Sequence, residues 1–123
     1  MILQKDISLQ PYNTFGVDVN CHQLICIEDN QEIEYLFQQH VFDETFFVIG
    51  GGSNLLFTKD FDGTIIHMAT RGIEKLQETE TKVVVKVAAG ESWEDFVRFC
   101  IRNDYYGVEN LVGVPGLDRK SVV

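Results

Sequence analysis

Hydrophobic residues along this chain fall into short runs that have the spacing of strands and helices and are separated by turn residues. Apolar and β-branched runs predict strands at residues 23–28, 45–49, 64–68, 73–78 and 82–88. The last two strands flank a polar turn at 78–81 and predict a hairpin, and another turn is predicted at 59–63. Residues 1–20 show no such periodicity, so we predict an irregular segment there.

The first of two predicted helices follows strand 23–28. Asp29 and Glu32 have the capping-box spacing at its start, and the helix is predicted to end near His40. Its apolar face comprises Ile33, Leu36 and Phe37. The order strand, helix, strand predicts a βαβ unit that finishes with strand 45–49.

The second helix is the clearest periodic segment of the chain. Ser92 is its expected N-cap, and its apolar face comprises Trp93, Phe96, Val97, Cys100 and Ile101. Three carboxylates, Glu91, Glu94 and Asp95, lie at the positive end of its dipole. They could also be interpreted as an acid–base cluster, but the helix start already accounts for them. Trp93 begins the apolar face, so we assign it to the core in preference to a stacking platform for a ligand.

A glycine-rich stretch follows strand 45–49 directly and is the main candidate site. It comprises Gly50, Gly51, Gly52, Ser53, Asn54 and Leu55. A buried strand that breaks into glycines lets main-chain N–H groups converge on one anion, and Ser53 and Asn54 add side-chain donors. We interpret this stretch as a cradle for the pyrophosphate of a nucleotide-type cofactor. A flexible linker is the alternative, although both flanking segments are strongly apolar.

Two common phosphate motifs are excluded at this stretch. The G-x-G-x-x-G motif would need a glycine at Leu55 and a helix that begins there. The Walker motif would need Gly-Lys-Ser/Thr after the loop, and the nearby lysine is Lys59. Any anion here would therefore be held by loop amides more than by the dipole of a long helix.

Two further turns carry glycine. Pro11 to Gly16 includes two aromatic side chains, which must dock either on the core or over a ligand. Residues 109–116 end in Val114, Pro115 and Gly116, and they form a candidate second loop, because a large cofactor commonly needs two loops to hold it.

Composition restricts the function classes. The 123 residues fit one domain or part of a larger one, and a hydrophobic fraction of 45% argues against disorder. A net charge of −9 repels nucleic acids and anionic lipid surfaces. No apolar run approaches the ~20 residues that span a bilayer, and the first residues lack the pattern of an export signal. We therefore expect no nucleic-acid partner and no membrane partner.

The cysteines and histidines form no metal motif. Cys21, Cys26 and Cys100 are an odd number without a Cys-x-x-Cys pair, and the three histidines are isolated in the sequence. We expect three ordinary thiols, no metal site and a reducing cytoplasm.

Three blocks of the sequence, taken together, resemble the amino-terminal part of bacterial UDP-N-acetylenolpyruvoylglucosamine reductases. They are Asn13-Thr14-Phe15-Gly16-Val17-Asp18, then Gly50 to Phe57, then Gly107-Val108-Glu109-Asn110-Leu111 with Val114-Pro115-Gly116. The segment Ala88 to Trp93 is also similar to a V-x-A-G-x-x-W segment of that family. The resemblance extends over residues 13–116.

The resemblance implies an α+β fold, namely the first lobe of a vanillyl-alcohol-oxidase-type (PCMH) FAD-binding domain, truncated. Residues 50–55 match the first pyrophosphate loop of the family, and Val114, Pro115 and Gly116 match the start of its second flavin loop. FAD is then the cofactor and NADPH its reductant. The implied product is UDP-N-acetylmuramate, made from a nucleotide-sugar enolpyruvate for peptidoglycan synthesis in the cytoplasm.

The end of the chain departs from the family. Residues 1–116 correspond to the amino-terminal part of the FAD-binding domain, whereas 117–123 form a tail without the family pattern. The family's catalytic Tyr-Arg pair, serine and late glutamate lie beyond this point, so no catalytic residue is assigned and the chain alone is expected to be inactive. The alternative is a stand-alone nucleotide- or flavin-binding or interaction module. Self-association is expected if apolar surface remains uncovered.

Overall fold

A four-stranded sheet forms the centre of the first of two units in this computed structural model, which describes residues 1–111. The first unit is Met1–Thr70, and the second begins at Arg71. The strands are β1 (Ile2–Ser8), β2 (Asn20–Ile27), β3 (Phe46–Ile49) and β4 (Phe61–Met68), in the spatial order β1-β2-β4-β3. β4 is parallel to both β2 and β3, and β1 is antiparallel to β2. The three predicted strands of this unit are confirmed, and β4 lies between the two strands of the predicted βαβ unit.

Strand β1 contradicts the prediction that residues 1–20 are irregular. It pairs along β2 from Ile2 opposite Cys26 to Ser8 opposite Asn20. Most of its side chains are exposed, including those of Ile2 and Leu3. An edge strand of this kind is held by main-chain hydrogen bonds and leaves little periodicity in the sequence, which is why the pattern missed it.

The capping box of the first helix is confirmed. Helix α1 (Asn30–Gln38) begins after Asp29, whose carboxylate accepts a hydrogen bond from the Gln31 N–H at 2.7 Å. The Glu32 carboxylate in turn accepts from the Asp29 N–H at 3.3 Å, and also from the Glu28 N–H at 2.8 Å. Leu36 is buried on one face of the sheet with Ile25, Ile27 and Ile66. Phe37 is 72% exposed, so its assignment to the apolar face was wrong: it lies about 100° around the helix from Leu36.

The opposite face of the sheet carries a second core, which extends to the glycine stretch. Its buried members are Leu9, Val19, Cys21, Leu24, Ile49 and Ile65. Leu55 and Phe57 pack against this core from beyond the glycines. The glycine stretch is therefore anchored at both ends by apolar side chains in one cluster, which disfavours the flexible-linker interpretation.

Strand β4 begins earlier than predicted, because Gly63 belongs to the strand and not to a turn. A Cβ on Gly63 would lie 2.6 Å from the Thr45 carbonyl oxygen, which also accepts the Thr64 N–H at 3.0 Å. The glycine thus permits a close approach of two main-chain segments. The turn predicted at 59–63 was wrong from Phe61 onward for this reason.

The second unit contains the predicted hairpin and helix. β5 (Ile73–Glu78) pairs antiparallel with β6 (Val83–Val87), and α2 (Trp93–Arg102) follows, with the Ser92 hydroxyl accepting the Asp95 N–H at 3.4 Å. The buried residues are Val85, Val87, Phe96, Val97, Cys100 and Val108. Ile101 is about half exposed, contrary to its assignment to the apolar face. In the part of the chain from 1 to 111, neither helix is long and apolar enough to cross a bilayer.

We predict that Gly63→Ala lowers the free energy of unfolding of the chain by about 1–3 kcal/mol, because the new methyl group overpacks against Thr45. Urea unfolding followed by circular dichroism measures the change. Asp62→Ala is the matched control, since Asp62 is exposed in the same strand and its loss should cost less than about 0.5 kcal/mol. Equal stability of the two variants would contradict the close approach at Gly63.

Candidate functional site

The glycine loop, residues 50–55, lies at the carboxyl end of β3. Ile49 ends that strand fully buried, and Gly50 follows it directly. Ile49 is in register with His67 of β4, which in turn is in register with Cys26 of β2. The loop therefore begins where the three parallel strands end, which is where ligands collect in sheets of this kind.

Main-chain donors of the glycine loop are available to a ligand. Among residues 1–111, no acceptor is bonded to the main-chain N–H groups of Gly51, Ser53 or Asn54. Gly51 and Asn54 are exposed and Ser53 is half-buried, and within the same described range the side chains of Ser53 and Asn54 make no hydrogen bond. Consecutive free N–H groups in a turn form a concave donor surface for an anion. The fit to a pyrophosphate rests on this donor set.

Gly52 fixes the glycine loop against a distant turn of the same unit. Its φ is +69°, and a Cβ there would lie 2.0 Å from the Tyr12 carbonyl oxygen and 2.9 Å from the Asn13 Cα. The Gly52 carbonyl oxygen accepts a hydrogen bond from the Thr14 N–H at 3.1 Å. Only glycine combines this backbone conformation with this approach.

The turn that contacts Gly52 is organised by Asn13. This side chain is 6% exposed, and its amide nitrogen donates to the carbonyl oxygens of Leu9 at 2.8 Å and Val17 at 3.1 Å. Its amide oxygen accepts the Val17 N–H at 2.9 Å. Sequence reasoning had recognised the turn and missed its contact with the glycine loop. A buried asparagine in a polar turn is the signal that could have indicated it.

The two aromatic side chains of this turn have different environments. Tyr12 packs against the core and lies edge-on to His67, with ring centroids 5.3 Å apart. Phe15 is 65% exposed. Docking on the core, one of the two predicted alternatives, therefore holds for Tyr12.

The cysteine thiols are not activated. Burial raises the pKa of Cys21, Cys26 and Cys100 above the ordinary value, so all three are protonated at neutral pH. Cys26 Sγ lies 3.5 Å from His67 Nδ1. Within residues 1–111, no three acidic, histidine or cysteine side chains converge as a metal site would require.

The carboxylates at the start of α2 have structural partners. Glu91 accepts the Gly72 N–H at 2.8 Å and lies 3.6 Å from Arg71, and Glu94 pairs with Arg98 at 2.7 Å. These contacts support the helix-start interpretation over an acid–base cluster. Trp93 packs against the core of the second unit, which agrees with its assignment there.

The predicted second loop lies largely outside the described residues, and so do Val114, Pro115, Gly116 and the tail 117–123. Its described part is ordered by polar contacts. The Trp93 indole N–H donates to the Leu111 carbonyl oxygen at 3.0 Å. The Gly107 N–H donates to the Glu109 carboxylate at 2.6 Å and thereby holds the pKa of that carboxyl below its usual range.

A cavity of about 480 Å³ lies in the second unit and contains no residue of the glycine loop. Its walls are the β5–β6 turn and residues 103–106, and its floor includes Phe96 and Cys100. The carboxylates of Glu78, Glu80 and Asp104, which line it, would repel an anion. We therefore base the site on the glycine loop and not on this cavity.

Comparison with known proteins gives a family match and a set of relatives. The model of a family described as "FAD binding domain" matches residues 23–117. The UDP-N-acetylenolpyruvoylglucosamine reductase of Bacteroides fragilis (strain YCH46) is 42% identical over 121 residues, which are 98% of this chain and 36% of that protein. The reductase of the same name from Pseudomonas putida is 42% identical over 114 residues, covering 92% and 34%. The chain spans about a third of the length of these relatives.

A solved structure supports the fold. The crystal structure of UDP-N-acetylenolpyruvylglucosamine reductase from Thermus caldophilus matches with a TM-score of 0.68 and 22% identity, over 94% of this chain and 40% of that one. The α+β fold class expected from the sequence is confirmed, and so is the resemblance to the amino-terminal part of these reductases.

We predict that Gly52→Ala destabilises the chain by at least about 3 kcal/mol, because left-handed strain and overpacking against Tyr12 add together. Gly16→Ala is the matched control: Gly16 has a φ of +67° but open space around the position of a Cβ, so strain alone should cost about 1–2 kcal/mol. Urea unfolding of both variants measures the difference. Similar losses of unfolding free energy in the two variants would show that the approach of Tyr12 to Gly52 adds nothing to the cost of Gly52→Ala.

Proposed function

We propose that this chain, which belongs to the FAD binding domain family, forms the amino-terminal part of a flavin-dependent reductase and supplies the loop that holds the FAD pyrophosphate. Membership of the family confirms the expectation that FAD is the cofactor. The single observation that carries the proposal for the site is the glycine loop, with its free N–H groups at the carboxyl end of β3.

The glycine loop fits a pyrophosphate through dipoles and not through cationic side chains. Residues 50–55 contain no Lys or Arg, and the chain as a whole carries a charge of −9. An anion must therefore be stabilised by main-chain N–H groups at short range, where a local donor set outweighs a distant net charge that salt screens. We assign this contact to Gly50, Gly51, Gly52, Ser53, Asn54 and Leu55, and the second flavin contact to Val114, Pro115 and Gly116.

The activity that we propose belongs to a longer protein. When bound there, FAD would supply hydride transfer from NADPH to the enolpyruvyl double bond of UDP-N-acetylglucosamine enolpyruvate, and a proton added to the adjacent carbon would complete UDP-N-acetylmuramate. The curated relatives that support this activity carry the name UDP-N-acetylenolpyruvoylglucosamine reductase and are about three times as long as this chain. The resemblance also implies a role in peptidoglycan synthesis in the cytoplasm.

A second candidate is an interaction module without catalysis, and one surface favours it. Among the described residues, strand β3 forms one edge of the sheet, and its exposed apolar side chains are Phe46, Phe47 and Val48. An unpaired apolar edge favours association with another chain. Sedimentation of the purified chain separates the two: a monomer that binds FAD favours the reductase part, and an oligomer that binds none favours the module.

We predict that Gly51→Asp weakens FAD binding about tenfold or more, because a carboxylate at this exposed loop position repels the pyrophosphate. Titration calorimetry with FAD measures the change, and riboflavin, which has no phosphate, should bind the variant as it binds the original chain. Thr81→Asp adds the same charge at the exposed hairpin turn and should leave the FAD affinity unchanged. Unaltered FAD affinity in Gly51→Asp would refute the assignment of the glycine loop.

We also predict that the 123 residues alone do not oxidise NADPH in the presence of the enolpyruvyl substrate. The family resemblance assigns the Tyr-Arg pair, the serine and the glutamate of the reaction to positions beyond this sequence. NADPH absorbance with added FAD provides the measurement, with the full-length Bacteroides fragilis reductase as the positive control. Substrate-dependent turnover by the short chain would overturn the prediction.

A further inference from the structure

We infer that Asn13 is a positioning residue for the glycine loop: its side chain fixes the turn whose main chain sets the position of Gly52. The inference rests on the proposed function only for the identity of the ligand. Asn13 precedes residues 50–55 by 37 to 42 positions and lies outside the residues 23–117 that the family model matches.

All hydrogen-bonding atoms of the Asn13 side chain are directed into the turn. The amide nitrogen donates to the carbonyl oxygens of Leu9 and Val17, and the amide oxygen accepts the Val17 N–H. With its side chain buried and both amide N–H donors engaged in this way, Asn13 has no donor left for an anionic ligand. Its effect on a bound cofactor must therefore pass through the backbone.

The backbone connection leads directly to Gly52. The Tyr12 carbonyl and the Asn13 Cα form the surface against which Gly52 packs without room for a Cβ. The next residue, Thr14, donates its N–H to the Gly52 carbonyl oxygen. A shift of the turn is thus transmitted to Gly52, which lies between the free N–H groups of Gly51 and Ser53.

Asn13→Asp is the sharpest test of this connection. The carboxylate keeps an acceptor for the Val17 N–H but removes both donors, so the Leu9 carbonyl oxygen loses a buried hydrogen bond and the Val17 carbonyl oxygen a part-buried one. Gln10→Glu is the matched control, since it makes the same amide-to-carboxylate change in the same turn. Within residues 1–111, the side-chain amide of Gln10 bonds only the Gly16 carbonyl oxygen, at an exposed position.

The first measurement is amide hydrogen exchange by NMR on the full chain. In Asn13→Asp we expect the Thr14 N–H to exchange about tenfold faster relative to the amides of Ile25 and Ile66 in the sheet. The resonances of residues 50–55 should also shift. Gln10→Glu should change neither. A uniform increase over all slowly exchanging amides would mean that Asn13 only stabilises the unit, and would overturn the inference.

Thr14→Pro tests the same connection if Asn13→Asp does not fold. It deletes the N–H that bonds Gly52 while leaving the Asn13 side chain in place. The backbone here suits proline, because Asn13 is extended, with φ −137° and ψ 141°, and Thr14 is the second residue of the turn closed by the Gly16 N–H. The proline ring Cδ would face the Gly52 carbonyl oxygen in place of the N–H hydrogen, so the substitution separates the two segments. A folded Thr14→Pro chain with unshifted resonances at 50–55 would overturn the inference.

The second measurement is binding of FAD, ADP and riboflavin. We expect Asn13→Asp and Thr14→Pro to lower the affinities for FAD and for ADP by the same factor, about tenfold, and to leave the affinity for riboflavin unchanged. An equal loss of affinity for all three ligands would contradict a role of Asn13 at the pyrophosphate. If the original chain binds neither FAD nor ADP, the proposed function fails for this chain, while the exchange result still decides the role of Asn13.

Discussion

The contact between Gly52 and the Tyr12–Asn13 main chain is the constraint on which the candidate site depends. Loops rich in glycine are normally mobile, because each glycine gains more freedom on unfolding than other residues do. Here two main-chain segments approach more closely than any side chain would allow, and a hydrogen bond from Thr14 joins them. The loop is therefore held in one shape before any ligand arrives, and a preorganised donor set loses less entropy on binding.

The parts of the fold that follow from periodicity could be predicted from the sequence, and the parts that depend on main-chain contacts could not. Helix α2 has an apolar face and a capping serine, so its position was evident. Strand β1 is an exposed edge strand and has little periodicity. Gly63 allows a close approach of two main-chain segments, whereas its residue type predicted a turn. The glycine loop was found because its residue types are unusual. Its partner turn was not, because Asn13 marks a turn in the sequence but does not show which distant segment that turn contacts.

The acidic composition of the chain is compatible with the proposed anion site on electrostatic grounds. The net charge of −9 is spread over exposed carboxylates, and several of them are engaged in helix caps or ion pairs, as Glu32 and Glu94 are. Their fields are screened by water and salt over about 8–10 Å. At the glycine loop the nearest partners of an anion are N–H dipoles, and their effect does not depend on the overall balance of charges.

The strand order β1-β2-β4-β3 also determines how the first unit can form during synthesis. β4 is the last of the four strands to leave the ribosome, yet it lies between β2 and β3 and supplies the only strand neighbour that β3 has among the described residues. Until residues 64–67 have emerged, β3 has no strand to pair with among the described residues. Parallel pairing between distant segments is slow, because chain entropy is lost before the contacts form. The sheet is therefore completed only when β4 pairs with both β2 and β3, and in that step β3, at whose carboxyl end the glycine loop begins, gains its strand neighbour.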